Sequence, residues 1–208
     1  MFKNKEANYK AILAKYMPAA AVDPIYSLIT NYKVQLRIKK TRKTKLGDYR
    51  PPLNQSFHRI SINNNLNPYA FVITLVHEIA HLEVWETYGK KVLPHGNEWK
   101  KSYTNLMEPF LNDNCFPADL NPVIIKHLSK GYASTSSDVY LTRALSKYDK
   151  EDTVLIEDIP EFTMFTLNDG RHFRKKHRLR KRYVCFCLND KKTYLFSPAA
   201  RVTVQTKK

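Results

Sequence analysis

The sequence predicts an α+β protein in two parts. Helices packed on a small sheet occupy residues 1–150, and a small, basic, β-rich module follows over 151–208. Three observations carry this reading. Up to about residue 148, long stretches with helical apolar spacing alternate with two short runs of period-two alternation. From Asp152 onward the pattern changes to short β segments separated by turn residues. The boundary between the two patterns falls within 149–153. A chain of 208 residues with 43% hydrophobic content can bury one large core or two small ones.

In chain order, residues 4–16 and 24–32 read as helices, the second capped by Asp23 and opened by Pro24. Val34-Gln35-Leu36-Arg37-Ile38-Lys39 alternates as a half-exposed strand does. The basic segment 41–52 contains Gly and Pro and reads as a hairpin connection. Residues 58–62 alternate again and form a second strand of the same sheet, with His58 a polar strand residue rather than a ligand. Asn67-Pro68 caps and opens a long helix to about Tyr88, and Gly89 is a natural residue to end it. Residues 97–111 form the next helix. A turn-rich connection, 112–121, holds Cys115 as an ordinary thiol. Asn121-Pro122 opens a helix to about Lys130, and a short helix spans 138–148. The β segments are 153–156, 162–167, 182–188, 192–196 and 200–206. Their spacing suggests a small sheet or a partly closed barrel.

Chemistry concentrates in His77-Glu78-Ile79-Ala80-His81, an H-E-x-x-H pattern inside the long helix. Residues four apart share a helix face, so His77 and His81 can grip one metal ion. Zinc suits imidazole ligands, and a catalytic site keeps one position open for water, on which Glu78 can act as general base. The helix is apolar nearly all round and therefore buried, where two His and a Glu are costly unless paired or metal-bound. A third ligand is needed. Val84 and Thr87 stand where a metzincin would have Gly and His, which excludes that class. Glu83 points to another face. His95 and Glu98 remain. Pro94 and Gly96 flank His95 and let the chain turn back, whereas Glu98 suits the start of the next helix.

H-E-x-x-H followed by His95-Gly96-Asn97-Glu98-Trp99 at the start of a helix resembles the SprT-like zinc metallopeptidases (the Spartan/SprT type). His58-Arg59-Ile60-Ser61-Ile62 and Asn67-Pro68-Tyr69 resemble the strand and helix entry of that domain, and the resemblance covers about residues 26–111. It implies His77, His81 and His95 as ligands of one Zn²⁺ per chain, and Glu78 as the base. It also implies a minimal zincin-like fold and action on DNA-associated or DNA-crosslinked proteins.

A net charge of +16 favours polyanions as partners. Two clusters hold most of it. Residues 171–208 carry 13 Lys/Arg against Asp190 alone, and residues 33–50 carry 8 against Asp48 alone. Arg174, Lys175, Lys176, Arg178, Arg180, Lys181 and Arg182 form the densest run and are the candidate nucleic-acid contacts. Aromatic residues interleave with them, the combination that holds single strands, although Phe186 and Phe196 read as core. Some SprT-like relatives carry a four-cysteine zinc ribbon here. This chain has only Cys185-x-Cys187 with His172 and His177 upstream, so a β module without a second metal is expected in the ribbon's place. No signal-peptide core and no membrane-length apolar run appear, and three cysteines do not suggest a disulfide framework. The expectation is a soluble intracellular protein, cytoplasmic or nucleoid-associated, with DNA and protein substrates as partners and no membrane. Two other functions stay open: a nucleic-acid-binding or regulatory protein with a vestigial zincin site, and a general peptidase indifferent to DNA.

Overall fold

The computed structural model describes residues 2–42, 44–52, 56–132, 137–149 and 154–204. The chain divides into two compact units, residues 1–148 and 149–208. Both are built from mixed α and β elements or β elements alone, which makes the chain α+β.

In the first unit the order is α1 (Phe2–Leu13), α2 (Ala19–Asn31), β1 (Val34–Lys39), β2 (Gly47–Arg50), β3 (His58–Asn63), α3 (Pro68–Tyr88), α4 (Asn97–Asn112), α5 (Asn121–Lys130) and α6 (Val139–Ser146). Helix α3 is the centre. Asn67 caps it by accepting from the Ala70 N–H at 2.9 Å, Pro68 opens it, and Gly89 ends it at φ 60°. Its buried residues, from Phe71 to Val84, face neighbours on nearly every side. Helix α4 packs beside it through Trp99, Ser102, Tyr103, Met107 and Phe110, a stripe at helical spacing.

The sheet has the strand order β1-β3-β2. β1 and β3 run parallel with Leu36 opposite Ile60, and β2 runs antiparallel to β3 with Tyr49 opposite Ile60. The expected hairpin over 41–52 therefore does not form. Parallel neighbours cannot be joined by a tight turn, so the chain crosses to the far edge of β3. Arg42 and Asn63 fix that crossing. The Arg42 guanidinium donates to Asn63 Oδ1 at 2.8 Å and Ser61 Oγ at 2.9 Å, and Asn63 Nδ2 donates to the Lys45 carbonyl at 2.9 Å.

Helix α2 also departs from expectation. It begins at Ala19 and carries Pro24 inside. Ala21 and Val22 continue the buried stripe of Ile25 and Ile29 upstream of the proline, and their burial outweighs the one hydrogen bond that Pro24 cannot make.

The second unit is an antiparallel sheet of β4 (Val154–Leu155), β5 (Met164–Thr166), β6 (His172–Leu179), β7 (Arg182–Cys187), β8 (Thr193–Phe196) and β9 (Arg201–Val204), in the order β4-β9-β5-β6-β7-β8. Thr153 and residues 205–206, which the sequence places in strands, lie outside the described residues. β6 is the strand that sequence reading passed over, because its density of cations hides the alternation of Phe173 and Lys175 inward against Arg174 outward. Phe165, Phe173, Cys185, Cys187 and Val202 make the core, with Phe196 packed edge-on to Phe165 and Phe173. Phe186 is not part of it. It pairs with Arg174 across the ladder, and Lys176 Nζ sits 5.2 Å from its ring centroid. Among the described residues, no helix is long and apolar enough to cross a membrane.

Candidate metal centre

The helical repeat of α3 puts His77 and His81 one turn apart on the same face. The third imidazole comes from the turn between α3 and α4. His95 itself takes the left-handed conformation at φ 61°, an uncommon state for a non-glycine residue. This bends the chain back over α3. The Nε2 atoms of His77 and His81 lie 3.2 Å apart, those of His81 and His95 3.0 Å, and those of His95 and His77 3.3 Å.

Such a triangle cannot be held by hydrogen bonds alone. A neutral ring nitrogen is either donor or acceptor, so at least two of the three Nε2 atoms play the same role. A tetrahedral zinc with bonds of 2.0–2.1 Å needs ligand nitrogens about 3.3–3.4 Å apart, close to the spacing seen. These three residues can hold a metal ion. All three are half-buried, which leaves the group open on one side. Burial, followed by the neighbouring imidazoles, pushes His77 down to about 2 and His81 down to about 4; burial also lowers His95. All three are therefore neutral at pH 7, the state that donates lone pairs to a metal.

Trp99 forms the floor. Its ring centroid lies 4.6 Å from those of His77 and His95 and 5.3 Å from that of His81, and it stacks on Tyr103. Tyr103 in turn meets His127, whose Nδ1 is 3.1 Å from Asp138 Oδ2; both members of that pair are buried. Sequence reasoning missed Tyr103, His127 and Asp138. The i, i+4 aromatic spacing of Trp99 and Tyr103 could have signalled the first, but nothing in the sequence links His127 to the motif.

Glu78 is buried and lies against β2. A Cβ on Gly47 would come within 2.8 Å of Glu78 Cγ and 2.9 Å of Cδ, so this close approach requires glycine. The Tyr49 backbone N–H donates to the carboxylate. Burial, then Asp48, raises Glu78 to about 8, opposed by that N–H and by Arg42 and Lys45.

The other acidic and imidazole candidates have separate partners. Glu83 accepts from Tyr32 Oη at 2.8 Å and from Ser102 Oγ. Glu98 sits in the first turn of α4 with its carboxylate over Gly96, outside the imidazole triangle. His58 is buried between Tyr49 Oη at 3.0 Å and Glu86 Oε1 at 3.1 Å. An apolar cavity of about 330 Å³ opens beside His81, lined by Tyr49, Val84, Trp85, Val92 and Leu93 among others.

In the second unit, Arg174, Arg178, Arg180, Lys181 and Arg182 are exposed on or near the β6–β7 hairpin, and Lys176 is half-buried beside Phe186. Lys175 corrects the reading of this run as a set of phosphate contacts. It is only 3% exposed, its Nζ donates to the Ile159 carbonyl at 2.5 Å, and it lies 4.1 Å from the Tyr183 ring centroid. On the inward face of β6 it has no room for a phosphate. Cys185 and Cys187 also face the buried side, as free thiols.

No curated protein and no solved structure matches the chain. The model of the SprT-like family matches residues 20–122, a span that holds β1 to β3, α3, the imidazole triangle and α4. The first unit of this chain thus belongs to the SprT-like family.

Proposed function

We propose that the chain is a zinc-dependent metallopeptidase of zincin type that cleaves proteins bound or crosslinked to DNA. The observation that carries the peptidase reading is the convergence of three neutral imidazole Nε2 atoms at 3.0–3.3 Å, with a buried glutamate adjacent in sequence. His77 and His81 would hold Zn²⁺ from consecutive turns of α3, and His95 from the turn that follows. Zinc bound there would polarise a peptide carbonyl and acidify a water molecule. Glu78 takes the proton from the attacking water at a carboxylate oxygen and delivers it to the leaving amide nitrogen. Burial raises the Glu78 carboxyl in the metal-free protein, and a zinc ion held beside it would favour the ionised form that a base needs to take the proton. Gly47 and the Tyr49 N–H keep that carboxylate in one orientation. The apolar cavity beside His81 suits a large apolar side chain of the substrate next to the cleaved bond.

The DNA part rests on charge and placement. The net charge is +16, and the β6–β7 hairpin presents Arg178, Arg180, Lys181 and Arg182 with Arg174 and Phe186 on the adjoining face. Phosphate contacts beside an accessible aromatic ring are a means of holding a strand without reading its sequence. The test is cleavage of one protein, free and attached to DNA, by wild type and by Glu78→Gln. Wild type should cleave the DNA-attached form faster, and Glu78→Gln should lose cleavage by orders of magnitude while keeping its fold. Equal cleavage of both forms identifies a general peptidase. No cleavage by the zinc-loaded wild type identifies a nucleic-acid-binding protein with a vestigial site.

A further inference from the structure

The outer face of the three-stranded sheet is a tray of cations. Leu36, Ile38, Tyr49, Ile60 and Ile62 turn inward to the helical core. Period-two alternation therefore sends Arg37 and Lys39 of β1, Arg59 and Ser61 of β3, and Asp48 and Arg50 of β2 to the other side. With Arg42 and Lys45 from the crossing segment, these residues line a cleft of about 270 Å³.

The charges there do not cancel. Asp48 is the one acidic residue in the lining among the described residues, and it is taken by Lys45 at 2.6 Å and Arg50 at 3.0 Å. Arg42 is committed to the neutral oxygens of Asn63, Ser61 and Leu46. Arg37 donates to the Gln35 side-chain amide oxygen. Arg37, Lys39 and Arg59 make no ion pair among the described residues. Arg50 stands directly opposite Arg59 in the ladder, a like-charge pairing that works against the sheet. A fold that tolerates this repulsion gains from an anion laid across the three strands.

We propose that this tray is a binding site for the phosphate backbone of a nucleic acid, carried by the catalytic unit itself. Most of the lining residues are long cations, spread over three strands and the crossing segment, which suits an extended polyanion. A single small anion would want a closed cradle of backbone N–H groups. Among the described residues no aromatic ring lines the cleft, so the contacts would be to phosphates and independent of base sequence. The position also matters. β2 turns Gly47 and Tyr49 toward Glu78 and turns Asp48 and Arg50 into the tray. A strand bound there would run along the back of the strand that holds the general base, so proteins attached to that nucleic acid would be held near the cleavage site. The inference rests on the nucleic-acid part of the proposed function and adds to it a second site, separate from the β6–β7 hairpin.

The test uses the full chain, with anisotropy of labelled single-stranded and duplex 20-mers across a salt series. Arg37→Ala/Lys39→Ala/Arg59→Ala is compared with Arg178→Ala/Arg180→Ala/Lys181→Ala. Removing three phosphate contacts should weaken binding by about tenfold or more at moderate salt and flatten the salt slope by about two to three units. The tray variant should do this with zinc content and cleavage of a small peptide unchanged. Wild-type affinity in the tray variant, with loss in the hairpin variant, overturns this inference and leaves the hairpin reading standing. No binding by wild type even at low salt overturns both. Displacement of the oligonucleotide by polyglutamate as readily as by unlabelled DNA, or by millimolar inorganic phosphate, assigns the tray to another anion and overturns the inference too.

Discussion

Glu78 combines deep burial with an ionisable group, and its environment predicts how the metal-free protein responds to pH. Burial first, then Asp48, raises its carboxyl from an ordinary value of 4.5 to about 8. A folded-state pKa above the unfolded one contributes stability that is full below about 4.5 and is lost as pH rises through about 8. The imidazoles have the opposite sign. Their folded pKa values are lowered, so their contribution is lost only as pH falls below about 6.5. Between pH 7 and 8 the carboxyl dominates. Metal-free wild type should lose thermal stability over that interval, and metal-free Glu78→Gln should not; equal slopes for the two would mean Glu78 is not held protonated. Gly47 belongs to the same argument. Gly47→Ala should cost about 1–3 kcal/mol in urea unfolding through overpacking and slow cleavage, while zinc content stays unchanged. His77, Glu78 and His81 were legible in the sequence because helical spacing alone puts the two imidazoles together. Gly47 was not, since its role depends on a close approach between β2 and α3 that no local pattern encodes.

At the scale of elements, α3 was legible from its cap and apolar run, and α4 from its apolar spacing. Asn67 does more than cap. Its Nδ2 also donates to the Leu145 carbonyl at 2.9 Å, tying the helix start to α6. Asn67→Ala should therefore cost about 1–3 kcal/mol in urea unfolding, a cap lost together with a buried carbonyl left unpaired. The misread elements share a cause: tertiary contacts outweighed a local signal. Asp23-Pro24 is a strong opening signal, yet Ala21 and Val22 bury upstream of it. The Gly and Pro of 41–52 suggest a hairpin, yet Arg42 and Asn63 carry the chain past β3. In β6, Lys175 has the composition of a surface residue and the position of a core one. Lys175→Ala should destabilise the second unit and Lys176→Ala should not, since only Lys175 satisfies a buried carbonyl. Thermal unfolding of the two variants separates them.

For the whole molecule, the division into a helical unit with a sheet and a smaller all-β unit follows from a change of period visible in the sequence. The density of positive charge was visible too. Which face each cation occupies was not, because strand pairing decides it: the outer side of β1-β3-β2 collects Arg37, Lys39 and Arg59, and the inner side of β6 takes Lys175 out of reach. Peptidase activity requires the three imidazoles to act as one metal site. Zinc analysis of the purified full chain tests this most directly, for wild type beside His95→Ala and Glu98→Ala. About one zinc per chain in wild type and in Glu98→Ala, with loss in His95→Ala, is the predicted result. Zinc retained by His95→Ala and lost by Glu98→Ala, or no zinc in any of the three, would contradict it.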